Sequence, residues 1–78
     1  MDPIEVTTRF DRQGNVLPLR FNWRERDYKV ISVGRVWQDE TGWHILVMAP
    51  GDHVNELVFS VLEMRWYMGR FGLDQEAA

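Results

Sequence analysis

The sequence contains no cysteine among its 78 residues. That excludes a disulfide framework, a thiolate metal site and a cysteine nucleophile. It also sets the chain apart from small secreted domains, which usually carry disulfides. Glycine is limited to six residues and proline to three. The glycines are scattered at turns, so no phosphate-cradling loop is present. Long apolar runs are missing as well: nothing is long enough to cross a bilayer as a helix, and Met1-Asp-Pro-Ile-Glu5 lacks the apolar centre of a signal peptide. A cytoplasmic location without a membrane partner is the expectation. Hydroxyl nucleophiles amount to Ser32, Ser60 and three threonines, and neither serine stands at a glycine-flanked elbow. His44 and His53 lack the spacing of a metal pair. Asp39, Glu40 and His44 fall near one turn, where an ordinary solvated loop is the plainer reading than a divalent-cation site. No enzyme, cofactor or metal is expected.

What is present is a heavy apolar load. Hydrophobic residues make up 45%, aromatics 13% and charged residues 27%, with four tryptophans, a globular balance rather than a disordered one. A chain this short hides only about 60% of its unfolded surface on folding. One domain spanning residues 1–78 is therefore expected, with loose ends at 1–3 and 74–78.

The net charge of −3 conceals a division. Between Arg9 and Trp37, seven cations face three acids, a net of +4; between Gln38 and Met64 there are five acids and no Lys or Arg, a net of −5. Two explanations compete. Strands from the two segments pair, so that the charges meet across them, or a basic face docks an anionic partner.

The chain is punctuated by Asp11-Arg-Gln-Gly-Asn15, Arg24-Glu-Arg-Asp27, Asp39-Glu-Thr-Gly42 and Ala49-Pro-Gly-Asp52, all rich in turn-forming or polar residues. Between them lie segments of strand-forming residues. Leu17, Leu19, Phe21 and Trp23 alternate with Pro18, Arg20 and Asn22, a period of two with one apolar face. Pro18 cannot donate to a ladder and suits an edge or a strand's beginning. Tyr28 to Trp37 breaks phase, and a bulge or bend near Val30 to Gly34 would reconcile its halves. Trp43 to Ala49 is apolar on both faces and reads as a central strand. The stretch from Asp52 to Phe71 reads as a hairpin turning at Leu62-Glu-Met-Arg65. The expected fold is all-β: about six antiparallel strands in a meander, curled into a small barrel-like sheet. The alternative is an α+β fold with a helix over residues 53–68 packed on a four-stranded sheet, because Val54, Leu57, Val58, Val61 and Leu62 also fall at helical spacing.

Two binding surfaces follow, both non-catalytic. Arg20, Arg24, Arg26, Lys29 and Arg35 form a candidate site for single-stranded nucleic acid or a phosphate-rich ligand. Arg65, Trp66, Tyr67 and Phe71, on a strand read as a sheet edge, form a candidate interface with an unknown protein or a second copy of the chain. The second surface is the primary expectation, the first its alternative.

Three segments together carry a family resemblance: Phe21-Asn-Trp-Arg-Glu-Arg-Asp-Tyr-Lys-Val30; Val36-Trp-Gln through Gly42-Trp-His-Ile-Leu-Val47; and Glu56-Leu-Val-Phe to Arg65-Trp-Tyr-Met-Gly-Arg-Phe71. They resemble DUF6504, a family of small bacterial proteins, over roughly Ile4 to Leu73. The resemblance implies that Trp23, Tyr28, Trp37, Trp43 and Trp66 pack the core and the sheet, and it brings no catalytic residue. Some members are encoded near error-prone DNA polymerase genes, which implies a link to DNA repair. This chain departs from the family pattern at Leu62-Glu-Met, where a polar or glycine-containing turn is expected.

Overall fold

The structure, a computed structural model, describes residues 1–73; the expected loose tail at 74–78 lies outside the described residues. Eight strands follow in order: β1 (Asp2–Ile4), β2 (Val6–Phe10), β3 (Val16–Trp23), β4 (Arg26–Lys29), β5 (Ser32–Asp39), β6 (Gly42–Ala49), β7 (His53–Ser60) and β8 (Arg65–Leu73). They form a five-stranded sheet ordered β1-β8-β7-β6-β5 and a three-stranded sheet ordered β2-β3-β4, with every pair antiparallel. The fold is all-β, and no helix occurs among the described residues.

Six extended segments become eight strands because two of them bend. One passes from β1 to β2 at Glu5, the other from β4 to β5 at Val30 and Ile31, and each bend carries the chain from one sheet to the other. Backbone partners are kept at both corners. Asn22 N–H donates to the Glu5 carbonyl at 2.9 Å, Val30 N–H to the Leu19 carbonyl at 3.0 Å, and Ile31 N–H to the Met48 carbonyl at 2.8 Å. An unpaired buried backbone group would cost as much as a lost hydrogen bond, so the chain turns these corners without that penalty. The curled meander is thus realised as two facing sheets rather than as one closed barrel.

The phase break after Tyr28 has two physical sources. The corner at Val30–Ile31 reverses which side chains face inward, and a register shift between Val33 and Val36 adds a bulge around Gly34. A second irregularity corrects the reading of β3. The register shifts between Thr7 and Thr8, so Leu19 falls out of phase with Phe21 and is 46% exposed, while Pro18 is buried. Pro18 is tolerated because β4 reaches only Arg20 to Trp23, which leaves the proline without a neighbour on that side.

The helix alternative fails at β7. Val54, Leu57, Val58 and Phe59 are all buried, on both faces of one strand, which a single apolar helical stripe would not achieve. β7 pairs with β8 from Val54↔Leu73 to Ser60↔Arg65, with shifts around Glu56. β8 is not an edge, because β1 pairs with its residues Trp66 to Met68. The same ladder fixes Asp2 and Pro3, which were expected to be loose.

Phe21, Ile45, Val47, Ala49, Leu57, Phe59, Trp66 and Met68 make the core between the sheets, with Trp23, Tyr28 and Trp43 packed at its margin. Trp37 lies outside it, on the solvent side of the five-stranded sheet. At the β5–β6 turn the chains approach closely: a Cβ on Gly42 would lie 2.2 Å from the Phe59 carbonyl oxygen, and Gly42 adopts φ +140. Only glycine fits there.

Candidate functional site

Alternation places Arg9, Arg20 and Lys29 on the solvent face of the three-stranded sheet, with Arg20 paired to Thr7 on β2 and to Lys29 on β4. β3 and β4 are joined by the two-residue turn Arg24-Glu25, both at positive φ (51° and 67°). This is the backbone of a tight hairpin turn whose favoured residues are Asn and Gly. The turn holds the Arg24 guanidinium 4.9 Å from the centre of the Trp23 ring, within cation–π range. Trp23 stacks on Phe71 at 5.7 Å, and Phe71 meets Tyr28 edge-on at 5.6 Å. Arg20, Arg24, Arg26 and Lys29 therefore share one hairpin beside an aromatic cluster. Arg35 stands apart on β5, 6.0 Å from the centre of the Trp37 ring.

All seven cations between Arg9 and Arg35 are exposed, and none forms an ion pair among the described residues. Strands of the basic and acidic segments do pair, β5 with β6, but the charges do not meet across them: no ion pair joins the two segments among the described residues.

On the five-stranded sheet the acids have other partners. His44, on β6, is 8% exposed and Glu56, on β7, is 6% exposed. His44 Nδ1 lies 2.6 Å from Glu56 Oε2, His44 Nε2 lies 2.8 Å from Asp39 Oδ1, and Arg70 Nε donates to Glu56 Oε1 at 2.6 Å. Trp37 stacks over the His44 ring at 5.1 Å. Burial disfavours the imidazolium, but the hydrogen bonds to Glu56 and Asp39 outweigh it and raise the His44 pKa above its ordinary value. Burial likewise disfavours the Glu56 carboxylate, and the bonds from His44 and Arg70 outweigh it and lower its pKa. The Thr41 hydroxyl, then His44, hold the Asp39 pKa down to about 2.

The chemistry of this cluster follows from its bonds. Thr41 Oγ1 lies 3.0 Å from His44 Nε2, and with Glu56 on Nδ1 the three mimic a hydroxyl–imidazole–carboxylate triad. However, Thr41 Oγ1 donates to Asp39 Oδ1 at 2.6 Å, and both ring nitrogens face carboxylates. The Thr41 hydroxyl thus gives its hydrogen to Asp39 rather than to the ring, and a protonated imidazole would have no lone pair with which to accept it. The cluster is a charge clamp tying β5, β6, β7 and β8 together. Asp39 and His44 do meet, but they bond each other instead of lining a solvated loop, and no cluster suited to a metal occurs among the described residues. Glu56 and Arg70 were not singled out from the sequence. The available signal was a lone glutamate inside the apolar run from Val54 to Val61, since a buried carboxylate requires a partner.

The four residues of the candidate protein interface do not share a surface. Trp66 is buried in the core. Arg65 is exposed and lies opposite Ser60, the Tyr67 hydroxyl donates to Glu63, and Phe71 joins Trp23 and Tyr28 at the other end of the sandwich.

The model of the domain of unknown function DUF6504 matches residues 1–68. The chain belongs to the DUF6504 family. No curated protein and no solved structure matches it. Within this DUF6504 chain the matched residues include the whole three-stranded sheet, Glu56 and the core tryptophan Trp66, and they stop two residues before Arg70.

Proposed function

We propose that this DUF6504 chain is a non-catalytic binding module that holds single-stranded nucleic acid on its three-stranded sheet. One observation carries the reading: the six exposed cations of residues 9–29 have no ion-pair partners among the described residues, whereas Asp39 and Glu56 are bound to His44 on the other sheet. Arg9, Arg20 and Lys29 on the solvent face, with Arg24 at the exposed turn, would contact phosphates. The strained turn that places Arg24 supports the same reading, because left-handed non-glycine residues persist where the surroundings over-determine them, often at functional positions.

A labelled oligonucleotide titrated at increasing salt tests this. With about four phosphate contacts, log K should fall against log salt with a slope near −3. The double variant Arg20→Glu/Lys29→Glu should weaken binding at least about tenfold, while Arg65→Glu, the same charge reversal on the other sheet, should change it less than about twofold. Absence of binding at low salt, or equal effects of the two variants, would overturn the proposal.

A further inference from the structure

β5 ends one side of the five-stranded sheet, and no strand pairs with its outer side among the described residues. Every residue of β5 except Trp37 is exposed. Free strand edges usually carry bulges or charges that block pairing. The bulge of β5 lies around Gly34, ahead of a stretch from Val36 to Asp39 that keeps one uninterrupted register with β6. Within that stretch Val36 is 48% exposed.

The turn after β5 decides which backbone groups are free. Glu40 and Thr41 form a two-residue turn, so Asp39 and Gly42, which face each other, are its hydrogen-bonded closing pair. Hydrogen-bonded and non-bonded pairs alternate along an antiparallel ladder. Trp37 and Asp39 therefore direct their N–H and C=O groups to β6, and Val36 and Gln38 direct theirs to the open side. The side chains add a second pattern. The Arg35 guanidinium lies 6.0 Å from the centre of the Trp37 ring, Trp37 stacks on His44, and His44 bonds Asp39, so all of them share the outer face. Arg35 has no ion pair among the described residues. The bonds that Asp39 accepts all fall on Oδ1, which leaves Oδ2 without a partner there. Arg35-Val-Trp-Gln-Asp39 is thus its own complement when reversed: a cation at one end, a carboxylate at the other and a tryptophan between.

We propose that β5 pairs antiparallel with β5 of a second copy about a twofold axis at Trp37. Val36 of each copy exchanges backbone hydrogen bonds with Gln38 of the other, and Arg35 of each reaches Asp39 Oδ2 of the other. The two Trp37 residues form the non-bonded pair between them, with Cα atoms about 4.5 Å apart. The contact is isologous, so association stops at two chains. It lies on the five-stranded sheet and is independent of nucleic-acid binding on the other.

Sedimentation over a concentration series tests it. The wild-type chain should pass from monomer to dimer, less readily at high salt. Gln38→Pro removes an N–H that β6 does not use, and Arg35→Glu sets carboxylate against carboxylate. Both should remain monomeric with an unchanged circular dichroism spectrum. Leu62→Ser, at the exposed tip between β7 and β8, should still dimerise. In this chain without cysteine, Trp37→Cys should oxidise to a disulfide-linked dimer, and Arg35→Cys, which faces Asp39 and not its own copy, should cross-link at least about fivefold less. A wild-type chain that stays monomeric up to about 1 mM, mass that grows beyond two chains, an Arg35→Glu variant that associates like wild type, a monomeric Leu62→Ser variant, or equal cross-linking of the two cysteine variants would overturn the proposal.

Discussion

β7 of the five-stranded sheet buries every residue from Val54 to Ser60, whereas the whole three-stranded sheet buries only Pro18 and Phe21. The contrast extends to charge. The larger sheet satisfies its buried carboxylate with a histidine and an arginine, and the smaller leaves its arginines and lysine open to water. Backbone strain is shared instead: the β3–β4 turn places Arg24 and Glu25 in left-handed conformations where Asn-Gly would be easier, and the turns on either side of β7 do the same to Asp52 and Met64. A small domain has few kcal/mol to spare. Here the larger sheet supplies most of the burial, and the smaller sheet carries exposed charge that stability alone does not require.

Three substitutions probe that contrast, in decreasing order of effect. Gly42→Ala forces a Cβ against the Phe59 carbonyl, whose backbone cannot move without disturbing the β6–β7 ladder. A loss of about 4 kcal/mol is expected, and unfolding monitored by tryptophan fluorescence would expose the error if the midpoint stayed near wild type. His44→Asn removes the clamp and leaves Glu56 with Arg70 alone, at a cost of about 3 kcal/mol in urea unfolding near neutral pH. The same cluster sets a pH dependence. Because the folded His44 pKa is raised above 6.5, its contribution is complete below that value and is lost as pH rises through the folded pKa. The Glu56 and Asp39 pKa values are lowered from 4.5 and 3.8, so their contributions are present above those values and are lost on acidification through the lowered ones, about 2 for Asp39. Stability should therefore peak between pH 4.5 and 6.5, and His44→Asn should flatten the alkaline side. A wild-type profile that rises above the upper limit contradicts the assignment. The smallest effect is a gain: Glu25→Gly relieves one left-handed residue and should stabilise the chain by about 0.5–1 kcal/mol, while a loss in the same unfolding assay would mean that the Glu25 side chain supports the turn.

Much of the fold was legible because two-residue alternation and turn chemistry are local signals. The central place of β6, the bulge near Gly34 and the hairpin after His53 all follow from residues within a few positions of each other. What escaped the sequence was non-local. Leu19 looked inward because its neighbours alternate, yet it is itself the extra residue where the register slips opposite Thr7 and Thr8, and that irregularity turns it out. The strand holding Tyr67 looked like an edge because nothing nearby in sequence announces that Asp2 to Ile4 returns to cover it. The Asp39–His44–Glu56–Arg70 clamp draws on four strands, and no spacing rule links its members. The opposing charge of the two halves was visible from counting alone, but whether those charges met or stayed apart depended on which segments became neighbours.

The β1–β8 ladder joins the first described strand to the last. A ribosome releases Asp2 to Ile4 well before Trp66 to Met68, so β1 must wait for its partner until β8 has been made. The three-stranded sheet has all its members in hand long before. Closure of the hydrophobic interior is accordingly deferred until β8 has emerged, and until then the pairing edge of Asp2 to Ile4 has no partner strand.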